Sequence, residues 1–215
     1  MASTQPYNII LAGKYGVGKS VLFQHLSRDA TKSIRGWDKY EHIVSLGPED
    51  VQVVLWDTAN MERNNVLSVS KSYFTECVGV MMVYKKGDLQ SLMELDAWYI
   101  RVRDITQFRD ALVFSLWCND SDSFSDEITP EHKQRYMSKW GIPPELDFSL
   151  GSEEEDEDTL MRQYKMLVET ARDRCNACKT CSGSLKQSTR LQENITLSTS
   201  TNTTDSILTK KCFCK

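Results

Sequence analysis

The sequence predicts an α/β fold with a mostly parallel sheet and helices on both faces. Four short apolar runs alternate with candidate helices along the chain, and they read "NIILA", "VQVVLW", "VGVMMVY" and "ALVFSLW". The runs are rich in valine, isoleucine and leucine and contain no charged residue, which is typical of strands buried on both faces of a parallel sheet. Helices between such strands supply the right-handed crossovers that parallel pairing requires.

Three segments have the spacing of helices: 18–28, 88–104 and 157–174. In the second, apolar residues recur every three or four positions at Leu89, Leu92, Leu95, Trp98 and Val102. In the third, the same spacing joins Leu160, Tyr164, Leu167, Val168 and Ala171. Each set predicts one buried helix face. The turn-like "SLGPED" at 45–50 predicts an antiparallel hairpin between "YEHIV" and "VQVVLW" at one edge of the sheet.

The composition predicts one well-cored domain over residues 1–175 and a flexible tail over 176–215. The chain has 215 residues, and from about 176 it is polar and rich in serine and threonine, too poor in large apolar side chains to pack. The net charge of −4 gives no reason to expect nucleic-acid binding. No apolar run approaches the ~20 residues that span a bilayer. The start "MASTQPYN" lacks the features of a signal peptide, so we expect an intracellular protein.

The segment "GKYGVGKS", residues 13–20, lies between the first predicted strand and a helix. Gly13, Gly16 and Gly18 have no Cβ, so the backbone can take positive φ and curl around a bulky anion. Lys19 adds a cation, and Ser20 adds a hydroxyl suited to Mg²⁺. The pattern G-x-x-x-x-G-K-S is the P-loop, whose amides hold phosphates at a helix N-terminus. The fold class is therefore predicted to be that of a P-loop NTPase.

Further polar residues follow the other predicted strands. "VVLWDTAN" places Asp57 at a strand end, where it can hold Mg²⁺ through water together with Ser20. "LWCNDSD" places Asn119 and Asp122 at the next strand end, and "DFSL" places Ser149 at the last. Ligands of open α/β sheets bind at the carboxyl ends of strands, so we expect these residues to share one edge.

Taken in order, these motifs resemble the Rab branch of the Ras-superfamily small GTPases over roughly residues 5–175. The likeness rests on "GKYGVGKS", on "WDTA" followed by "ER" at 62–63, on "SYFTECVGVMMVY", and on Asn119 with Asp122 three residues later. The resemblance implies a five- or six-stranded sheet, bound GTP or GDP with Mg²⁺, and two switch segments that order around the γ-phosphate.

The resemblance also implies roles for individual residues. Lys19 would contact the β- and γ-phosphates, and the amides of 16–20 would surround them. Asp122 would accept from the guanine ring, Asn119 would brace that loop, and the Leu150 amide would reach the guanine O6. The implied nucleotide-binding set is Gly13, Gly16, Val17, Gly18, Lys19, Ser20, Asn119, Asp122, Ser149 and Leu150. The implied Mg²⁺ set is Ser20, Ser33 and Asp57, with Thr31 as the rival of Ser33.

Several departures from the family pattern affect hydrolysis and the base clamp. Asn60 replaces the glycine whose amide meets the γ-phosphate, and Met61 replaces the glutamine that orients the attacking water. A thioether is a weak acceptor and cannot donate. Asp120 replaces the lysine whose stem covers the base. The first switch is some five residues shorter than usual between Ser20 and Ser33, and it lacks the aromatic that commonly clamps the base in the family. We therefore expect a slow GTPase with weak or impaired conversion of GTP to GDP and phosphate, and no catalytic residue is assigned.

The ending "KKCFCK" is similar to Rab C-termini that carry two prenyl groups. Cys212 and Cys214 form the C-x-C pattern, and flanking lysines can add attraction to an anionic leaflet. A single lipid chain gives only marginal binding, so two chains are physically sensible. The alternative is an unmodified tail. Upstream, "CNACKTC" places Cys175, Cys178 and Cys181 at metal-like spacing; a metal site, palmitoylation and a chance cluster all stay open.

Three functions follow from these observations. The first is a Rab-like switch on the cytoplasmic face of an intracellular membrane, with a cytosolic pool. It would act in vesicle traffic with effector and exchange-factor proteins. The second is a pseudo-GTPase platform with weak or no use of nucleotide. The third is a P-loop kinase, which would need an acceptor site and an arginine-bearing lid that the sequence does not reveal.

Overall fold

A computed structural model describes residues 6–27, 39–58, 69–120, 128–150 and 157–178. Within them, the strands form one sheet in the order β2-β3-β1-β4-β5-β6. The strands are β1 (Tyr7–Ala12), β2 (Lys39–Leu46), β3 (Glu49–Asp57), β4 (Cys77–Lys85), β5 (Val113–Asn119) and β6 (Asp147–Leu150). All neighbouring strands are parallel except β2 and β3. This is the mostly parallel sheet that the apolar runs predict.

Helices cover both faces of this sheet. They are α1 (Lys19–Ser27), α2 (Ser72–Thr75), α3 (Leu89–Met93), α4 (Leu95–Ile105), α5 (Pro130–Trp140) and α6 (Glu157–Ala177), with a 3₁₀ turn at Pro144–Leu146. The first and last helices contact each other, and α2 and α3 both contact α4. The central strands are buried along nearly their whole length, as two covered faces require. The predicted α/β fold class is confirmed.

The predicted edge hairpin is also confirmed. Strands β2 and β3 pair antiparallel, with Leu46 opposite Glu49 across the turn. Gly47 has φ of 71° in this turn, a conformation that glycine adopts without strain. The hairpin is joined to α6 by an ion pair between Glu49 and Arg172, 3.4 Å long. The hairpin is thus held by both its turn and the last helix.

The segment predicted as one helix over 88–104 forms two. Helix α3 ends before Glu94, and α4 starts directly after it. Glu94 keeps right-handed helical angles, and its carbonyl accepts from the Ala97 amide only three residues on, so the chain tightens locally. The predicted apolar face remains inside, since Leu92, Leu95 and Val102 are fully buried. The division at Glu94 therefore leaves the apolar face buried.

Helix α5 does not follow from apolar periodicity. Only Met137 and Trp140 of this helix are buried, so the apolar pattern is sparse. The capping residues do mark its ends. The Thr129 side chain accepts from the His132 amide at 3.2 Å, Pro130 occupies the first turn, and Gly141 closes the helix with φ of 67°. A search for caps rather than for apolar spacing would have found it.

An aromatic cluster joins β2 to α6. The His42 ring stacks on Tyr40 with centroids 4.2 Å apart and lies 5.6 Å from the Tyr164 ring. Tyr164 is fully buried. Burial disfavours the imidazolium and lowers the pKa of His42 from 6.5 to about 4. The histidine is therefore held in its neutral form, as part of the contact between the edge strand and the last helix.

This cluster predicts acid sensitivity. Because the folded-state pKa of His42 lies below its ordinary value, its neutral form stabilises the fold above pH 6.5, and that stability is lost as the pH falls toward about 4. We expect the loss to be on the order of 2 kcal/mol, less than full linkage gives because the ring is only partly buried. Urea unfolding of the wild type and of His42→Phe across this range measures it. The Phe variant keeps the stacking but should lose this part of the pH dependence; equal slopes would contradict the assignment.

Candidate phosphate-binding site

The loop at 13–20 requires glycine at two positions for reasons of space. Gly13 has φ of 150°, and a Cβ there would lie 2.2 Å from the Val83 carbonyl oxygen. Gly18 has φ of 100°, and its Cβ would lie 2.3 Å from Nδ2 of Asn119. The loop is therefore pressed against the ends of β4 and β5. Glycine allows both the backbone angles and the approach.

Lys19 is buried at the start of α1, although its side chain is charged. Its Nζ donates to the carbonyl oxygen of Gly13 at 3.0 Å and to that of Lys14 at 2.7 Å. A buried ammonium needs such acceptors. The loop carbonyls therefore hold the ammonium at the phosphate loop.

Asn119 connects this loop to the end of β5. Its Nδ2 donates to the Val17 carbonyl oxygen at 2.9 Å. In the sheet, Asn119 is paired with Leu150 of β6, and Ser149 is paired with Cys118. The structure thus joins the phosphate loop to Asn119 at the end of β5, with Ser149 and Leu150 on the neighbouring strand.

Asp57 and Ser20 lie at the same edge of the sheet. Asp57 ends β3, is 6% exposed, and pairs with Leu11 near the end of β1. Thr58 follows it and is anchored by its hydroxyl, which donates to the Leu11 carbonyl at 2.7 Å. Ser20 is the second residue of α1 and is partly exposed. A carboxylate and a hydroxyl are the hard oxygen donors that Mg²⁺ prefers, so this pair fits that ion.

Several predicted site residues lie outside the described part of the chain. They are Thr31, Ser33, Asn60, Met61, Asp122, Cys181, Cys212 and Cys214.

Two ion pairs at this edge were not foreseen. The Nζ of Lys14 lies 3.3 Å from Asp88, and that of Lys86 lies 3.0 Å from Asp120. In the sequence Asp120 stands only for a lost lysine, whereas the structure places Lys86, from the neighbouring strand end, opposite it. The signal was present in "YKKGD", which continues the predicted strand "VGVMMVY" past the carboxyl edge.

The described cysteines are free thiols. Cys77 and Cys118 are buried, as expected, and burial raises the pKa of Cys77 to about 12 and raises that of Cys118 as well. Cys175 is buried within α6, and Cys178 packs partly buried against the core. Within the described ranges, no three His, Cys, Asp or Glu side chains are grouped to hold a metal. In the same ranges, no helix has the length and apolar character to cross a membrane.

Comparison with known proteins identifies relatives of this chain. The chain is 28% identical over 135 residues to Ras-related protein Rab-18 of Lymnaea stagnalis, covering 61% of this chain and 65% of that protein. It is 27% identical over 139 residues to Ras-related protein SEC4 of Saccharomyces cerevisiae, covering 63% of each. A third match, 32% identical over 110 residues, is to a Ras and EF-hand domain-containing protein homolog of Mus musculus, covering 49% of this chain and 17% of that protein. The chain thus spans less than two thirds of the length of these relatives.

A family model described as Ras family matches residues 8–165, which is more than half of the chain and runs from β1 into α6. The matched range contains the phosphate loop, Asp57 and Asn119, and so the whole site described above. The chain therefore belongs to the Ras family, as a divergent Rab-like member of the small GTPases.

Proposed function

We propose that this protein is a Rab-like guanine nucleotide-binding switch that acts in intracellular membrane traffic. It binds GTP and GDP with Mg²⁺, and effector and exchange-factor proteins are its partners. The observation that carries the proposal is the phosphate loop itself, in which Lys19 is held by two loop carbonyls and Asn119 is bonded to the Val17 carbonyl.

The phosphate side of the site supplies a cation, backbone amides and hard oxygen donors for a nucleotide with Mg²⁺. The Lys19 ammonium can exchange the Gly13 and Lys14 carbonyls for β- and γ-phosphate oxygens, because it already lies at the loop. The amides of 16–20 surround the same anion. Ser20 and Asp57 would hold Mg²⁺, with Ser33 as the proposed switch ligand. The ion would neutralise phosphate charge there.

The base side is assembled from β5 and β6. Asp122 is proposed to accept from the guanine ring N–H and amine, which adenine cannot offer in that pattern. The backbone amide of Leu150 is proposed to donate to the guanine O6. Asn119 supports this arrangement through its bond to Val17. Together these groups favour guanine over adenine.

Nucleotide binding predicts a rise in thermal stability. A ligand at 100 times its Kd adds about 2.7 kcal/mol, which is measurable for a domain of this size. We expect GDP or GTP with Mg²⁺ to raise the melting temperature and ATP with Mg²⁺ to have little effect. Lys19→Ala should abolish the rise. Equal stabilisation by ATP and GTP would refute the proposed base specificity, and no rise with any of them would refute nucleotide binding.

Hydrolysis is proposed to be weak, because Met61 cannot orient an attacking water and Asn60 restricts the loop that meets the γ-phosphate. Intrinsic small-GTPase turnover is only about 3–5 × 10⁻⁴ s⁻¹, and catalysis depends on positioning. We expect single-turnover hydrolysis at or below this rate. Met61→Gln, alone or with Asn60→Gly, should increase it. A wild-type rate well above ~10⁻³ s⁻¹ would show that another residue positions the water.

A second candidate is a pseudo-GTPase platform that keeps the fold with weak or no nucleotide. The observation that favours it is Asp120, which carries a negative charge at the base edge and is paired with Lys86. The two candidates differ in what the purified protein contains. Chromatography of the denatured protein should release guanine nucleotide from the switch and none from the platform.

Membrane attachment is proposed to depend on lipid chains at Cys212 and Cys214, which would place the protein on the cytoplasmic face of an intracellular membrane with a cytosolic pool. One chain gives marginal binding, of order 10⁴ M⁻¹. We expect a single Cys→Ser change to weaken membrane association and the double change to release the protein into the cytosol. Cell fractionation measures both.

A matched double change at Cys178 and Cys181 should have no such effect unless those thiols are acylated. A Cys212/Cys214 double variant that stays on membranes would refute the anchor.

A further inference from the structure

The turn after β4 lies between the two parts of the proposed nucleotide site. It runs from Lys85 to Asp88, where the Asp88 amide donates to the Lys85 carbonyl at 3.1 Å. The Lys86 amide donates to the Asn119 carbonyl at 2.9 Å. The backbone of this turn is therefore fixed to the strand end that carries Asn119.

The first ion pair joins this turn to the phosphate loop. Lys14 Nζ lies 3.3 Å from Oδ2 of Asp88. The other oxygen of Asp88, Oδ1, accepts from the Ser91 amide at 3.0 Å and caps α3. The carbonyl of Lys14 accepts from Lys19 at 2.7 Å. Asp88 thus connects the start of α3 to the residue whose carbonyl holds Lys19.

The second ion pair joins the same turn to the base side. Lys86 Nζ lies 3.0 Å from Oδ2 of Asp120. The Asp120 amide donates to the Leu150 carbonyl at 3.1 Å, which ties it to β6. Asp120 is also two residues before Asp122 in the chain. A constraint on Asp120 therefore acts on the loop proposed to contact guanine.

We propose that Lys14, Lys86, Asp88 and Asp120 are positioning residues that hold the phosphate loop and the base loop in register around the bound nucleotide. This inference rests on the proposed guanine-nucleotide binding and deepens it. Both ion pairs start from the same four-residue turn, so this turn is joined both to the phosphate loop and to the base loop. The four residues act through Lys19 and the loop at 119–122, and none of them needs to touch the nucleotide.

A simple charge effect predicts the opposite result, which makes the proposal testable. Asp88 and Asp120 are negative groups near a site for a polyanion. If they acted only through their field, neutralising them would reduce repulsion and slow nucleotide release. If they position the loops, neutralising them loosens the loops and accelerates release. The sign of the change distinguishes the two.

The variants are Asp88→Asn and Asp120→Asn. Asparagine is as good a helix cap as aspartate, so Asp88→Asn keeps the acceptor for Ser91 while removing the charge that pairs with Lys14. The exchange Lys86→Asp with Asp120→Lys restores an ion pair at unchanged net charge. The control is Asp104→Asn, which removes a more exposed ion pair, with Arg109, between α4 and the start of β5. Release of N-methylanthraniloyl-GDP with Mg²⁺ from the full chain is the measurement.

We expect each Asn variant to release the fluorescent GDP about two- to fivefold faster, the range that exposed ion pairs supply. The exchanged pair should return toward the wild-type rate, and Asp104→Asn should match the wild type. Added salt should accelerate release from the wild type more than from the variants, because it screens the pairs. Urea unfolding should differ little among them, which separates loop positioning from loss of stability.

Release that is unchanged or slower in both Asn variants would overturn the inference while leaving nucleotide binding intact. Failure of the exchanged pair to restore the rate would overturn the second ion pair as a positioning contact. A wild-type protein that retains no fluorescent GDP, with Lys19→Ala as the matching negative control, would instead overturn the proposed function and this inference with it.

Discussion

The close approach of Gly18 to Asn119 is the contact on which the geometry of the site depends. A side chain at Gly18 would collide with the Asn119 amide, and that amide holds the Val17 carbonyl at 2.9 Å. The two residues are about a hundred positions apart in the chain, so the contact exists only because β1 and β5 flank β4 in one parallel sheet. Parallel strands deliver their carboxyl ends to one edge. The phosphate loop takes its position from that edge, and the glycine allows it to come close enough.

The buried lysine follows from the same constraint. With the loop pressed against β4 and β5, Lys19 is removed from water, and its ammonium is satisfied by the Gly13 and Lys14 carbonyls. The ammonium is therefore held at the phosphate loop by backbone acceptors. The buried apolar strands keep the carboxyl edge of the sheet rigid. Residues such as Ile10 and Met82 are fully buried and fix the strand ends from which the polar side chains project.

The sheet, its hairpin and the phosphate loop could be predicted from the sequence because each depends on a local pattern. Uncharged apolar runs specify buried strands, and G-x-x-x-x-G-K-S specifies a loop of fixed geometry. The short helix α5 could not be predicted from apolar spacing because few of its side chains face the core. Its start and end are marked instead by Thr129, Pro130 and Gly141. The division between α3 and α4 at Glu94 could not be predicted because a one-residue tightening leaves the apolar spacing unchanged. The ion pairs could not be predicted for a different reason. Lys86 and Asp120 are 34 positions apart, and their contact depends on the pairing of β4 with β5.

The pairing of Asp120 changes how the departures from the family pattern combine. Considered alone, the replacement of the family's lysine by Asp120 indicates a weakened contact with the base. In the sheet, the register places Lys85 opposite Asn119 at the ends of β4 and β5. The residues that follow them, Lys86 and Asp120, are therefore close together and form an ion pair. A cation therefore faces Asp120 at this place, and it comes from the end of the adjacent strand. A replacement at a ligand-binding edge is therefore better judged against the neighbouring strand than against a one-dimensional motif. By that criterion Asp120 is an ion-pair partner of Lys86, while the phosphate loop keeps the pattern G-x-x-x-x-G-K-S.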